Sequence, residues 1–149
     1  MGVILSGFND LTANLMNIAD RSSRGARDEL AKGAEDIKDL AVLYAPIDEG
    51  NLERAIKVQK FSDASNNRRN TYSVYVDEDV AAENSKTGTV GGYALRMHEG
   101  DYELGVLSQD KEDSLSVKVG RKFLERALED LDQEIKRKVE SKVSVGVGH

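Results

Sequence analysis

The chain of 149 residues has no cysteine, a single proline and few aromatic side chains. Without cysteine, it can have neither a disulfide nor a thiolate metal site nor a cysteine nucleophile. Aromatic residues make up 5% of the chain and hydrophobic residues 39%, whereas charged residues reach 32%. These proportions predict one domain with a modest core and a large solvated surface.

The chain also lacks an excess of basic residues and any long apolar run. Its formal net charge of -6 and pI near 5.0 argue against a nucleic-acid groove, because such a groove needs lysines and arginines to neutralise phosphates. The sequence has no run of about 18 apolar residues, which a membrane-spanning helix would need. It also begins without a positively charged signal-peptide segment. We therefore expect neither a membrane span nor a secreted protein.

Apolar residues recur at helical spacing in three segments. The first predicts a short amphipathic N-terminal helix with Phe8, Leu11, Leu15 and Ile18. The second predicts a longer helix with Leu30, Ala34, Ile37, Ala41 and Tyr44. This helix should end before Pro46, since proline disrupts the preceding turn. The third predicts a long C-terminal helix with Leu124, Leu128, Leu131, Ile135 and Val139. Whether the first two helices are continuous stays open.

Strand patterns are short and lie between these helices. One helical turn at "NLERA" leads into a strand at "IKV", and "TYSVYVD" alternates as the return strand of a long-looped hairpin. "LSVKV", residues 115–119, predicts a third strand, "YALRMHEG" a short helix closed by Gly100, and the acidic segments 78–92 and 101–113 predict loops.

These elements predict an α+β fold. It has an N-terminal helix or helix pair, a small mostly antiparallel sheet of three to four strands, and a long C-terminal helix packed on the sheet. The single domain should cover residues 1–140. Residues 141–149 alternate valine with small residues, which indicates a flexible tail or an assembly arm.

Candidate catalytic groups are scarce. His98 and His149 are the only histidines, so a catalytic triad or a two-histidine metal site would need the end of the chain. Asp48 and Glu49 are adjacent, as are His98 and Glu99, and adjacent side chains point apart. We interpret Asp48 as a turn and helix-start residue and His98 as a structural or interface residue.

Two loop segments have a weak resemblance to ligand sites. "DED" at 77–79 lacks the alternating ligands of a calcium loop, and "GTVGG" at 88–92 lacks the Lys-Ser/Thr ending of a phosphate-binding loop. We interpret both as solvated loops. We therefore assign no catalytic residue, no cofactor site, no metal ligand and no cofactor. The sequence predicts a structural or assembly subunit that is not an enzyme.

Three segments resemble, in order and spacing, the neck and tail-completion family of tailed bacteriophages. In "LAVLYAPIDEGNL" the matching residues are Ala41, Ala45, Pro46, Asp48, Gly50 and Leu52. In "YALRMHEG" they are Tyr93, Ala94, His98, Glu99 and Gly100. In "FLERAL" they are Phe123, Leu124, Arg126, Ala127 and Leu128. The resemblance spans residues 11–139 and makes these residues candidates for assembly.

The resemblance implies a virion protein, made in the host bacterial cytoplasm, that forms a homo-oligomeric ring at the head-tail junction. Its partners would be its own copies, head-completion or connector proteins, and tail-terminator or tail-tube proteins. Genomic DNA would pass through the lumen without sequence-specific binding, and no membrane is involved. A tail terminator that caps the tail tube is the alternative within this class. A small ligand-binding or regulatory domain that uses residues 88–100 is the alternative from another class.

Overall fold

The computed structural model describes residues 2–6, 12–17, 24–47, 49–62 and 70–147. The elements in chain order are β1 (Gly2–Ser6), β2 (Thr12–Asn17), α1 (Arg24–Tyr44), α2 (Asn51–Ala55), β3 (Ile56–Ser62), β4 (Asn70–Val76), α3 (Ala94–Glu99), α4 (Val106–Leu115) and α5 (Phe123–Val147). A 3-10 turn, Val90–Gly92, precedes α3. This arrangement of helices and antiparallel strands confirms the predicted α+β class.

The strands form one antiparallel sheet in the order β1-β2-β4-β3. β3 and β4 are the two strands of the predicted hairpin, with Ile56 opposite Val76 and Val58 opposite Val74. The alternation along β4 places Tyr72, Val74 and Val76 in the core, as predicted. Ser73 on the other face is buried as well, so that face is less solvated than the sequence indicated.

The predicted N-terminal helix is wrong where the structure describes it. Thr12–Asn17 is strand β2, which pairs with β4 and places Leu15 opposite Tyr72. Phe8, Leu11 and Ile18 lie outside the described residues. The helical spacing was misleading because pairing with a central strand depends on distant residues, and such tertiary context overrides local periodicity. Of the predicted helix pair, the described chain has the second member, α1.

The predicted third strand is also wrong. Leu115 ends α4, and Ser116 follows in the left-handed conformation with φ 53°. The acidic segment 101–113 was predicted as a loop, but from residue 106 onwards it belongs to α4. Its helical period is weak because the buried residues of α4 are polar, namely Ser108 and Lys111.

α5 is longer than the sequence indicated. It continues to Val147, so residues 141–147 are helical and the predicted boundary at residue 140 lies inside a helix. The flexibility of this tail and its role in assembly stay predictions.

α1 is the central element, since it contacts β2, β3, β4 and α5. The two long helices are antiparallel, because Gly33 of α1 lies against Ile135 while the end of α1 at Tyr44 bonds to Gly120, just before α5. Most of the predicted apolar residues of both helices are buried, whereas Tyr44 and Leu131 are partly buried. The buried set on α1 includes Ala26, Leu30, Ala34, Ile37 and Ala41, and that on α5 includes Leu124, Leu128, Ile135 and Val139.

Gly33 allows α1 and α5 to approach closely, and this predicts a stability effect. A Cβ atom at Gly33 would lie 2.9 Å from three side-chain carbons of Ile135, nearer than carbon atoms normally approach. We expect Gly33→Ala to lower the free energy of unfolding by about 1 kcal/mol. Overpacking costs about 1–3 kcal/mol, which exceeds the gain of up to about 1 kcal/mol in helix propensity.

Gly25→Ala is the matched control in the same helix. Its Cβ would lie 3.4 Å from Lys142 Cδ, an ordinary contact with a flexible side chain. Urea unfolding of both variants measures the difference. A Gly33→Ala protein at least as stable as the wild type would contradict close packing at this point.

Candidate functional site

The three segments that carry the family resemblance meet at the C-terminal end of α1. The first segment leaves α1 at Ala45 and Pro46, which are both buried. Backbone hydrogen bonds join this end to the others, since Gly120 N donates to Tyr44 O at 2.8 Å and Lys122 N donates to His98 O at 2.7 Å. We name this region the α1 junction; it comprises residues 44–47, 98–99, 108–111 and 120–128.

A lysine from α4 satisfies the last carbonyl groups of α1. α1 has no basic residue in its own last turn. Lys111 Nζ donates to Val42 O at 2.6 Å and to Ala45 O at 2.7 Å, and it lies 3.3 Å from Glu53 Oε2. Carbonyls at a helix C-terminus lack intrahelical donors and carry partial negative charge. The buried ammonium supplies both hydrogen-bond donors and a positive charge. Burial lowers the pKa of Lys111, and Glu53 opposes this shift.

Ser108 holds the turn that follows Pro46. Its hydroxyl accepts a hydrogen bond from Ile47 N at 2.8 Å and donates one to Ile47 O at 3.0 Å. Ser108 and Lys111 are the buried residues of α4, so this helix is attached to the body through polar contacts.

The loop before α5 is held by Arg126, the basic residue of the third motif. Its guanidinium donates to Lys118 O at 2.8 Å and to Arg121 O at 3.0 Å. The same guanidinium lies 4.6 Å from the centre of the Tyr44 ring, a cation–π contact. Tyr44 also donates a hydrogen bond to the carboxylate of Asp130. The end of α1 and the start of α5 are therefore joined through side chains as well as through the backbone.

His98 is fully buried inside this junction. Its ring meets Phe123 edge to face, with centroids 4.8 Å apart and an interplanar angle of 81°. Nδ1 lies 3.0 Å from Glu99 Oε1, and the Glu99 carboxylate also pairs with Lys122. Donation to a carboxylate puts the ring proton on Nδ1, and Nε2 has no hydrogen-bond partner in the described part of the chain. Burial lowers the pKa of His98, and Glu99 opposes this shift.

Most motif residues pack within a single copy of the chain. The buried ones include Ala45, Leu52, Ala94, Phe123, Leu124, Ala127 and Leu128. Asp48 lies outside the described residues, so its helix-start role stays a prediction. The role of the motif residues in assembly also stays a prediction, and the buried ones could influence it only by shaping the monomer.

The backbone explains why two positions of the motifs are glycine. Gly50 adopts φ 79°, the left-handed conformation that favours glycine, and so allows the reversal between α1 and α2. Gly100 ends α3 as predicted, and a Cβ there would lie 2.6 Å from Arg96 O.

Ser108 and Lys111 are site residues that the sequence pattern did not indicate. Both lie in a segment without helical periodicity, so no pattern of apolar residues could indicate their burial. A weak signal was available, because the last turn of α1 lacks a basic residue and "QDKED" holds a lone lysine among carboxylates.

A groove of about 480 Å³ opens beside the α1 junction. Its lining includes Pro46, Tyr93, Arg96 and Met97, together with Gly92 from the glycine-rich segment. His98 is buried against Phe123, and it is not one of the described residues that line the groove. The two features that suggested a ligand site, the glycines and the histidine, are therefore not combined. In the described part of the chain, no group of three or more metal-ligating side chains could hold a metal ion.

Residues 9–91, more than half of the chain, match the model of the HK97-gp10-like family, described as "Bacteriophage HK97-gp10, putative tail-component". The chain belongs to this family. The HK97-gp10-like family is one of bacteriophage tail components, which places the chain in the virion. The match confirms the resemblance to phage neck and tail-completion proteins. No curated protein and no solved structure gives a significant match to the chain.

The family match covers part of the α1 junction. The first motif lies inside the matched residues, whereas "YALRMHEG" and "FLERAL" lie beyond residue 91. The contacts of His98 and Phe123 with the end of α1 therefore extend the site past the matched segment. Among the described helices, none is long and apolar enough to cross a bilayer.

The burial of Lys111 predicts a large effect of its removal. We expect Lys111→Met to lower the free energy of unfolding by about 1–3 kcal/mol, because it leaves the carbonyls of Val42 and Ala45 without their charged donor. Lys118→Met is the matched control. The Lys118 side chain is exposed, so its replacement should change stability by no more than about 0.5 kcal/mol. Equal stability of the two variants in urea unfolding would rule out this capping role.

The burial of His98 predicts a dependence of stability on pH. The pKa of His98 is lowered in the folded state, so as pH falls through the unfolded value of about 6.5 the unfolded chain binds protons first. The free energy of unfolding should therefore decrease from pH 7.5 to 5.5, by no more than about 1.4 kcal/mol per pH unit.

His98→Leu, which has a similar volume and cannot titrate, should remove this dependence. His149→Gln is the control and should keep it. Urea unfolding at several pH values measures both variants. An unchanged pH profile in His98→Leu would show that another group is responsible.

Proposed function

We propose that the protein is a structural subunit of the phage neck that joins the DNA-filled head to the tail by assembling into a ring. The observation that carries the proposal is the α1 junction. Three segments that resemble neck and tail-completion proteins pack there into one core, in a chain whose family consists of phage tail components.

The surface of the described chain supports assembly with other copies. β1 and β3 are the outer strands of the described sheet, and outer strands present backbone groups to which a neighbour can pair. Several large apolar side chains are also exposed. Burying such side chains between subunits would stabilise a protein with a modest core.

The proposed partners are the neighbours of such a ring. They are other copies of this chain, the head-completion or connector protein above, and the tail-terminator or tail-tube protein below. The net charge of -6 suits a channel through which DNA passes without being held. We propose that the protein has no catalytic activity.

Two other functions are kept as candidates. The first is a tail terminator that caps the tail tube, which membership of a family of phage tail components also supports. A ligand-binding or regulatory domain is favoured by the groove of about 480 Å³, whose lining includes Tyr93 and Met97. Arg96→Glu distinguishes this last candidate, because Arg96 is an exposed residue of the groove wall.

Reconstitution of virions tests the neck function. Purified protein should form oligomers in native mass spectrometry, and it should restore joined particles when it is added to heads and tails made without it. A protein that stays monomeric and joins nothing would contradict the proposal. A protein that fixes the length of isolated tails, without heads, would instead be a tail terminator.

Two variants complete this experiment. Leu124→Asp puts a charge into the core and should abolish joining by unfolding the monomer. Arg96→Glu should fold and join heads to tails normally. Loss of joining by a folded, oligomeric Arg96→Glu protein would favour the ligand-binding candidate.

A further inference from the structure

α4 packs with polar side chains inward and apolar side chains outward. Its buried residues are Ser108 and Lys111. Val106, Leu107 and Leu115 are 73%, 54% and 45% exposed. In the described part of the chain, these are three of the five large apolar side chains that are exposed, and all three lie in one helix of 10 residues. Single exposed apolar residues are ordinary, but such a concentration indicates a binding surface.

The charges on the outside of α4 are all negative. Asp110 and Asp113 are exposed, and neither has an ion-pair partner among the described residues. The lysine of this helix, Lys111, is turned inward to the end of α1. We name the exposed set Val106, Leu107, Asp110 and Asp113 the α4 face. Leu115 is exposed at the end of the helix, on the side of Ser108 and Lys111, and is not part of this face. A partner for this face needs positive charge together with apolar surface.

A surface of that kind lies at the other end of α1. A groove of about 310 Å³ runs between α1 and α5, and its lining has four cationic side chains and one carboxylate: Glu29, Lys32, Arg137, Lys138, Ser141 and Lys142. Lys138 is paired with Glu134 at 3.0 Å. Lys32 and Arg137 are exposed and make no direct ion pair within the described residues, while the nearby Glu134 carboxylate interacts with the charges of both. Their long stems add apolar surface below the charged groups. We name this the basic groove.

One copy of the chain cannot bring the two surfaces together. α4 is attached at Val42, whereas the basic groove includes Lys32, ten residues earlier on the same helix. At 1.5 Å per residue, this places the two attachment points about 15 Å apart along α1. A contact between two different surfaces of identical subunits repeats from one copy to the next, and it closes into a ring when the rotation allows.

We propose that the α4 face of one copy binds the basic groove of the next copy. This inference rests on the proposed ring function and adds the two surfaces that form the ring. Asp110 and Asp113 pair with Lys32 and Arg137 of the neighbour, and Leu107 packs against the stems of these basic residues. A nucleic acid would account for the basic groove alone, because phosphates would leave the apolar residues of α4 exposed.

Charge reversal tests the pairing. The variant Asp110→Lys/Asp113→Lys and the variant Lys32→Glu/Arg137→Glu should each weaken self-association at least tenfold, measured by sedimentation and native mass spectrometry. A protein with all four substitutions has opposite charges on the two surfaces again and should recover assembly. In an equimolar mixture, the two double variants should associate with each other in alternating order, since each offers the surface that the other needs.

The controls isolate the surfaces from folding and from net charge. Glu83→Lys and Lys86→Glu are exposed positions in the turn after β4, and they should leave assembly unchanged. Leu107→Ser should weaken assembly without changing the thermal midpoint of a dilute monomer. Circular dichroism checks that every variant is folded.

The outcomes separate this inference from the ring function. If the wild type assembles and both charge variants assemble equally well, the two surfaces are wrong and the ring function stands. If assembly is lost but the protein with four substitutions does not recover it, the pairing is wrong. If α4 variants form rings but fail to join heads to tails, α4 binds a different tail protein and the inference is overturned. If the wild type never assembles, alone or with heads and tails, the result contradicts both the ring function and the inference.

Discussion

The carbonyl groups at the buried end of α1 need hydrogen-bond donors, and the second half of the chain is arranged around this need. Helix carbonyls in the last turn have no partner within the helix, and burial removes the water that would otherwise serve. Lys111 reaches Val42 O and Ala45 O from α4, and Gly120 N reaches Tyr44 O from the start of α5. Two distant segments are thereby fixed at one point of the fold.

This arrangement explains why the three motifs contain alanine, proline and glycine. Ala45 and Pro46 occupy a buried corner, and Gly50 turns the chain back towards the sheet. Phe123 and His98 fill the space between α3 and α5. These residues define the shape of a monomer. In our proposal, the surfaces that meet other proteins lie elsewhere, on α4 and on the outer strands of the sheet.

The sequence predicted the parts whose local pattern matches their burial. In α1 and α5 the apolar residues at steps of three and four do face the core, and in β4 the alternating residues do as well. β2 was mistaken for a helix because its partner, β4, is far away in sequence. α4 and the cap by Lys111 could not be predicted, since a buried lysine has no hydrophobic signature and its acceptors lie 66 and 69 residues earlier. At the α1 junction, the sequence identified the motif residues but could not indicate that the three segments contact one another.

The polar attachment of α4 has a consequence for how the protein unfolds. Because Ser108 and Lys111 are its buried residues, separating α4 from the body exposes little apolar surface. Its release should therefore have a small heat-capacity change and a free energy determined by a few hydrogen bonds. We expect α4 to open as a cooperative unit of its own while α1, α5 and the sheet stay folded. Amide protons in α4 would then exchange with solvent through local opening, and those in α1 only through global unfolding.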